Sequence, residues 1–354
     1  MKKEKKALLA GEKVFIGIDL HKNKWHVTIR TAEFEQFSGS IPGRWDALKR
    51  ILDRYIGHPL ITVYEAGYFG FWLHDELAAY GAECLVTPPS LIPIEYGNKV
   101  KTDRRDSRKL AHFLAKGILK RVWVPTEKER YHRQVIRRRR QLVGDRIRTQ
   151  NRIKAELRLC GLDLPEPKGK WTKIYLTNLK RVKFNNRWMQ ESYKRLLEQY
   201  DFLDEQIGKQ TKMLHELSET KLYKDRVEIL KSIPGIGVIG AMDLLLELQD
   251  VSRFKKADQI AAYIGLTPSQ YSSADKVRMG RITCIGKNPL RATLVQASWT
   301  LVRKDGVMRK KYERIKARSG GKRAIVAIAR TLVVRMRRLL LDNEPYVIGL
   351  VDAK

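Results

Sequence analysis

Two apolar runs near the N-terminus decide most of what this chain can fold into. Val14-Phe-Ile-Gly-Ile18 is short and continuous, as a buried strand is, and Trp25-His-Val-Thr-Ile29 alternates, as a strand with one buried face does. The second reads as the hairpin partner of the first. A third strand is expected near Phe34 to Phe37, and Pro42 to Tyr55 carries helical spacing through Trp45, Leu48, Ile51 and Leu52. Leu60 to Tyr64 reads as another buried strand and Phe71 to Tyr80 as a helix. Glu83 to Val86 follows as a strand closed by Pro88-Pro89, and a helix runs from Asp103 to about Lys116. Periodicity therefore predicts an α/β unit with a mixed sheet.

The pattern then changes. Glu127 to Gly161 holds Arg137-Arg-Arg-Arg140 and then Arg146, Arg148, Arg152, Lys154 and Arg158, while Ile136, Val143, Ile147 and Leu157 keep a helical stripe. This predicts one long helix with a packed side and a basic side. Pro165 to Asn186, with two prolines and many lysines, reads as a linker or inserted loop. Tyr193, Leu196, Tyr200, Leu203, Ile207, Leu214 and Leu217 fall on alternating three- and four-residue steps, broken by Gln210. That seam predicts a helical hairpin or coiled coil, partnered by the basic helix or by another subunit. From Arg226 on the chain looks helical, ending in an amphipathic helix over Ala324 to Leu341. The expected divisions are an α/β unit at 1–126, a helical coiled-coil middle at 127–225 and a mainly α region at 226–354.

The formal net charge is +32 while 43% of residues are hydrophobic. A packed core is feasible, and so large an excess of one sign opposes compactness through self-repulsion unless a polyanion offsets it. Nucleic acid is the commonest such partner. No apolar run is long enough to span a bilayer, no signal-type stretch follows Met1 to Lys6, and Cys84, Cys160 and Cys284 show no metal-ligand spacing. The chain reads as intracellular, cytoplasmic and without a membrane partner.

Four acids stand out in so basic a protein. Asp19 ends the first strand within Gly17-Ile-Asp-Leu-His-Lys22. Glu65 ends a later strand, and Asp103 and Asp106 lie three apart at a helix start, so on one face. Strand ends and helix starts meet along one sheet edge, where such acids repel unless a cation neutralises them. Oxygen ligands suit Mg2+ or Mn2+, and two such ions can activate the attacking oxygen and steady the leaving oxygen at a phosphodiester. The bland reading also stands: Asp103 as an N-cap with Asp106 in the first turn, Asp19 closing a strand, Glu65 paired with an arginine.

Ser232-Ile-Pro-Gly-Ile-Gly237 before an apolar run reads as the turn of a helix-hairpin-helix. Gly235 and Gly237 there let the backbone turn tightly and approach phosphate. A plain helix-connecting turn is the alternative. Farther on, Gly265-Leu-Thr-Pro-Ser-Gln-Tyr-Ser-Ser-Ala274 is a polar loop whose serines have no base adjacent in sequence.

In order, these segments resemble the DEDD insertion-sequence transposases, a family that includes pilin-gene invertases. Gly-Ile-Asp-Leu-His-Lys, the Glu65-Ala-Gly strand end and Lys101-Thr-Asp-Arg-Arg-Asp106 look like its RuvC-like half, in keeping with the ribonuclease-H-like order of the elements. Ile-Pro-Gly-Ile-Gly, Gly-Leu-Thr-Pro with Tyr-Ser-Ser, and Gly280-Arg-Ile-Thr look like its C-terminal transposase domain. The resemblance implies that Asp19, Glu65, Asp103 and Asp106 bind Mg2+ (or Mn2+). It implies that Ser273 attacks a DNA phosphate and becomes covalently joined to it. The expected partners are double-stranded DNA, a structured non-coding RNA that bridges target and donor, and further copies of the chain in a dimer or tetramer, with acids and serine supplied by different subunits. Arg137, Arg138, Arg139, Arg140, Arg146, Arg148, Lys276 and Arg281 are the cations expected on nucleic acid. Two residues depart from the family pattern: Ala274 follows the serine where glycine is usual, which leaves Ser272 as the alternative nucleophile, and Ser107 stands where alanine is common. Two rival functions are a RuvC-like nuclease that uses water, and a nucleic-acid-binding protein without catalysis.

Overall fold

The computed structural model describes residues 8–93, 102–162, 169, 171–273, 276–283 and 285–350. The chain forms two compact units, Met1–Val124 and Pro125–Lys354.

The first unit is a mixed α/β layer. Strands β1 (Val14–Asp19), β2 (Lys24–Arg30) and β3 (Glu35–Pro42) form an antiparallel meander. After helix α1 (Trp45–Leu52), β4 (Leu60–Glu65) returns parallel to β1. Helix α2 (Trp72–Ala79), β5 (Glu83–Thr87) parallel to β4, and α3 (Asp103–Ala115) complete the unit, with strand order β3-β2-β1-β4-β5. Successive side chains of a strand point to opposite faces. Val14, Ile16 and Ile18 of β1 and Trp25, Val27 and Ile29 of β2 thereby join Leu48 and Leu52 of α1 and Leu73 and Leu77 of α2 in one core. The other face, with Phe15, Ile61 and Val63, packs on Leu110, Phe113 and Leu114 of α3.

Strand β3 is longer than expected and Pro42 belongs to it, pairing with Lys24, so α1 starts only at Trp45. Ser38-Gly39-Ser40 lacks apolar alternation because this strand is held by polar contacts: Ser40 Oγ lies 2.9 Å from His26 Nδ1, and Ser38 Oγ lies 3.1 Å from Thr28 Oγ1.

The second unit is helical except for one ribbon. Helix α4 (Glu127–Leu159) is continuous over 33 residues and opens on a capping box between Thr126 and Glu129. It is followed by α5 (Lys173–Arg181), α6 (Arg187–Ser218), α7 (Lys224–Lys231), α8 (Val238–Leu248) and α9 (Ala257–Ile264). Next come the hairpin β6 (Pro268–Ser273) and β7 (Lys276–Ile282), then α10 (Asn288–Lys304), α11 (Gly306–Ser319) and α12 (Gly321–Asp342). Two cores result. The larger gathers the apolar faces of α7 to α10 and α12 with Ile136 of α4 and Leu214 of α6. The smaller joins Ile153 and Leu157 of α4 to Tyr193, Leu197 and Tyr200 of α6. Helices α4 and α6 therefore run antiparallel, each with one end in each core.

The stretch expected as a linker or loop holds α5. Thr172 caps it by accepting from Tyr175 N, and Trp171, Tyr175 and Leu179 are buried in the smaller core. Its lysines sit on the other side, which hid the stripe in the sequence; Pro165 and Pro167 lie outside the described residues. The α6 seam is buried against its own chain at Tyr193, Leu197, Tyr200, Leu203, Ile207 and Leu214, with Leu197 more deeply placed than Leu196. Arg139 Nε donates to Thr211 Oγ1 across it at 2.9 Å. Among the described residues no helix is long and apolar enough to cross a membrane.

Candidate active site

The α3 face of the sheet carries the acids. By the alternation that sends Ile16 and Ile18 into the opposite core, Phe15, Gly17 and Asp19 face α3, and so do Ile61, Val63 and Glu65 on β4. The parallel register pairs Ile18 with Tyr64, so Asp19 and Glu65 are the last residues of adjacent strands. Gly17 lets the helix lie directly on β1: a Cβ there would stand 2.2 Å from Ser107 O and 2.5 Å from Ala111 N. Three polar ties hold α3 in this position. Ser107 Oγ lies 2.8 Å from Thr28 Oγ1 in the buried interface, Arg108 clasps Glu35 with two hydrogen bonds, and Arg30 Nη1 lies 2.8 Å from His112 Nδ1. Ser107, where the family pattern favours alanine, is thus part of the seat of the helix that carries Asp103 and Asp106.

Thr102, not Asp103, is the N-cap of α3; its hydroxyl accepts from Arg105 N. Both acids lie in the first turn, where the helix dipole favours negative charge. Asp19 is far more enclosed than Asp103, its side chain 17% exposed against 62%. Burial raises the Asp19 carboxyl above its ordinary value, His21 opposes this, and the charges of Asp103 and Asp106 raise it further. Asp19, Asp103 and Asp106 are thus brought within electrostatic reach of one another, while Glu65 is exposed at the neighbouring strand end.

One residue of this group was not singled out from sequence. His21 Nε2 stands 3.2 Å from Asp19 Oδ2 and 3.5 Å from Asp103 Oδ1, and the three ligand-type atoms all lie within 4.8 Å of one another. Its advance signal was its place in Gly17-Ile-Asp-Leu-His-Lys22, two residues after Asp19. Across the sheet, His26 pairs with Asp19 in the β1–β2 ladder; it is buried, which lowers its proton affinity, and the positive Arg104 adds to that.

The arginine run of α4 is placed differently from a solvated basic face. Arg137 donates from Nε and Nη2 to the two oxygens of Glu247 at 2.9 and 3.0 Å, and Arg140 Nη1 donates to Glu247 Oε1 at 2.9 Å. Arg140 also pairs with Asp243, whose other oxygen accepts from Thr293 Oγ1 at 3.0 Å. Arg133, Arg137 and Arg140 thus meet Asp243 and Glu247, one turn apart on α8. Arg139 is half-buried on Thr211, Arg146 pairs with Asp204 and Arg148 with Asp145. Arg138 is the exposed member of the four consecutive arginines, and Arg152 is exposed farther along.

The serine segment is a β-ribbon, not an irregular loop. Strands β6 and β7 pair from Pro268–Ile282 to Ser273–Lys276, which sets Ser273 in the last pair of the ladder. The side chains of Ser272, Ser273 and Lys276, and all of Ala274, Asp275 and Cys284, lie outside the described residues. Arg281 is exposed, and its carbonyl accepts from Ser269 Oγ at 3.2 Å. The ribbon's base is tightly joined. Gly265 and Gly286 both have positive φ, and a Cβ on Gly286 would stand 2.6 Å from Gly265 N. Thr283 N donates to Thr267 O, and Arg291 Nη1 donates to Gly265 O at 3.2 Å.

Between α7 and α8, Gly235 has φ +95°, and a Cβ on it would stand 2.8 to 3.0 Å from Thr300 and Ala297 of α10. Its missing side chain therefore admits a neighbouring helix. Gly237, the residue before α8, has open space around its Cα.

Known proteins match this sequence along most of its length. A family model described as Transposase, of the DEDD IS110 type, matches residues 16–161, and one described as Transposase IS116/IS110/IS902 family matches 227–313; together they cover about two thirds of the chain. The putative transposase y4qE of Sinorhizobium fredii is 29% identical over 336 residues, 92% of this chain and 81% of that protein. The transposase for insertion sequence element IS1533 of Leptospira borgpetersenii is 26% identical over 67% of this chain and 70% of its own. That for IS1111A of Coxiella burnetii is 27% identical over 75% and 73%.

Proposed function

Since the chain belongs to the IS110 family of insertion-sequence transposases, enzymes that cut and rejoin DNA, we propose that it does so by attack of the Ser273 hydroxyl on a DNA phosphate, assisted by a divalent cation held by Asp19, Glu65, Asp103 and Asp106. The observation that carries the metal half of this reading is the seating of α3 on β1, which sets Asp103 against Asp19 beside the end of β4. The strand order β3-β2-β1-β4-β5 supports a ribonuclease-H-like fold for this unit.

The donor set fits the cation. Oxygen ligands are what Mg2+ selects, and a positive ion would offset both the burial that raises Asp19 and the smaller repulsion from Asp103 and Asp106. When bound, such an ion supplies Lewis-acid stabilisation of oxyanion charge on the attacking and leaving oxygens. The chain's own residues do the rest. Ser273 gives up its hydroxyl proton and forms a Ser–O–P ester. The P–O bond to one strand end breaks, and that end leaves as a hydroxyl. Attack by the hydroxyl of a new strand end reverses the step and frees the serine. Each exchange conserves one phosphoester bond, so no nucleotide hydrolysis is needed.

The acids and the serine belong to different folded units of the chain, which is compatible with the family's pattern of a centre assembled from several copies. The net charge of +32 supports a polyanionic partner, and this reading includes with the DNA a guide RNA that bridges target and donor. Of the arginines expected on nucleic acid, Arg138, Arg148 and Arg281 are exposed, as is Arg152, whereas Arg137 and Arg140 are engaged by Glu247.

The test is a covalent trap. The protein is expressed with the DNA that flanks its gene, the lysate is denatured, and DNA still joined to protein is recovered, with Ser273→Ala and Ser272→Ala alongside. An adduct lost in Ser273→Ala alone identifies the nucleophile. Recombination products without any adduct would overturn the serine step in favour of attack by water.

A further inference from the structure

We propose that His21 is a nitrogen ligand of the cation bound at Asp19 and Asp103, so that the site has a mixed oxygen and nitrogen donor set and takes Mn2+ in preference to Mg2+. This deepens the metal reading above and rests on it.

The argument is geometric first. Ligand atoms on one ion with bonds of about 2.0 to 2.2 Å are spaced along a polyhedron edge by roughly 3.0 to 3.5 Å. His21 Nε2 stands 3.2 Å from an Asp19 oxygen and 3.5 Å from an Asp103 oxygen. Those spacings fit neighbouring donors around a single ion, the shorter being also a hydrogen-bond distance, and all three atoms lie within 4.8 Å of one another. The three atoms come from two elements fixed independently of any ligand. Asp19 and His21 lie at the end of β1 and just after it; Asp103 starts α3, which Gly17, Ser107 and Arg108 seat against the sheet. His21 is half-exposed, and its ring is held at the carboxylates by a hydrogen bond to Asp19 rather than by core packing.

The chemistry follows from the donor. Mg2+ prefers oxygen and holds its waters tightly, whereas imidazole nitrogen suits first-row transition metals. One nitrogen among carboxylates leaves Mg2+ binding nearly unchanged and strengthens Mn2+ binding. Removing His21 therefore narrows the difference between the two ions, with Mn2+ affinity falling about tenfold or more on the scale of lost ligand support.

The experiment uses the full chain and Mn2+ alone, with no DNA and no activity readout. Mn2+ binding is titrated in the wild type, His21→Ala and Asp19→Asn, and pulsed EPR reads the electron-spin-echo modulation from 14N at the bound ion. Far-UV circular dichroism checks that each variant is folded, and His21→Gln offers an oxygen donor of similar reach. The expected result is 14N modulation in the wild type, lost in His21→Ala and His21→Gln, with weakened Mn2+ and unchanged Mg2+ affinity in His21→Ala. Mn2+ bound through Asp19 without 14N modulation would overturn the His21 assignment and leave the carboxylate site standing. No Mn2+ bound by the wild type, or binding indifferent to Asp19→Asn, would overturn both.

Discussion

The clamp between α4 and α8 makes a quantitative test of how the second unit is held. Glu247 is 3% exposed and accepts three hydrogen bonds from Arg137 and Arg140. Burial alone would raise its carboxyl; the two guanidinium groups outweigh that and hold it at about 2, against an ordinary 4.5. That fall corresponds to about 3 kcal/mol of preference for the ionised form in the folded state, at about 1.4 kcal/mol per pH unit. Arg137 is itself 37% exposed, so solvent screens part of its share and the figure is an upper one. Because the folded value lies below the unfolded one, the contribution is fully present above about pH 4.5 and is lost as pH falls towards 2. Glu247→Gln keeps the shape and removes the charge. It should lower stability by up to about 3 kcal/mol at pH 7, comparable with breaking a buried ion pair, and lower Tm by up to about 6 to 12 °C in a unit of this size. Differential scanning calorimetry of both proteins from pH 7 to pH 3 reads the gap, which should close as the acid limb is approached. A Tm gap under about 2 °C at pH 7, or one that stays constant with pH, would refute the reasoning.

Two glycines give further tests. Gly17→Ala places a methyl 2.2 Å from Ser107 O and should lift α3 from β1, with a loss of about 1–3 kcal/mol and a sharp fall in Mn2+ affinity as Asp103 leaves Asp19; unchanged Mn2+ titration would show that α3 seating does not set the metal site. Gly286→Ala forces a methyl onto Gly265 N at a φ of +126° and should displace the base of the serine ribbon. Covalent adduct should then fall at least about tenfold while Mn2+ binding stays at the wild-type level, and adduct at the wild-type level would remove the ribbon base from the mechanism.

The sequence announced what is carried by apolar period. Strands β1, β2, β4 and β5 and helices α3, α4 and α6 were legible because each repeats a hydrophobic position at a spacing of two or of three and four. What it hid is carried by polar contacts or partner choice. The Ser38–Ser40 half of β3 is held by hydroxyls on His26 and Thr28, and α5 keeps only a narrow stripe under its lysines. The seam of α6 was visible, but the period does not name its partner, which is the same chain. Arg137 and Arg140 read as basic surface because their acids, Asp243 and Glu247, lie far along the sequence in an apolar run. At the site, the three acids gathered around α3 were legible from strand ends and a helix start, whereas His21 became visible only once Asp103 was set beside it in space. Ser107 could be read as a departure from the family pattern but not as a tie to Thr28.

Helix α4 has a mechanical consequence. Its 33 residues span about 50 Å, and its ends are seated in separate cores, one through Ile136 and the arginine clamp, the other through Ile153 and Leu157. With no break between them the helix is a stiff lever: a tilt imposed at one end arrives at the other with the full length of the arm and no slack. The α4–α8 clamp is then a fulcrum, and loosening it at Glu247 should be felt most at the tip beyond Leu157, far from any lost contact.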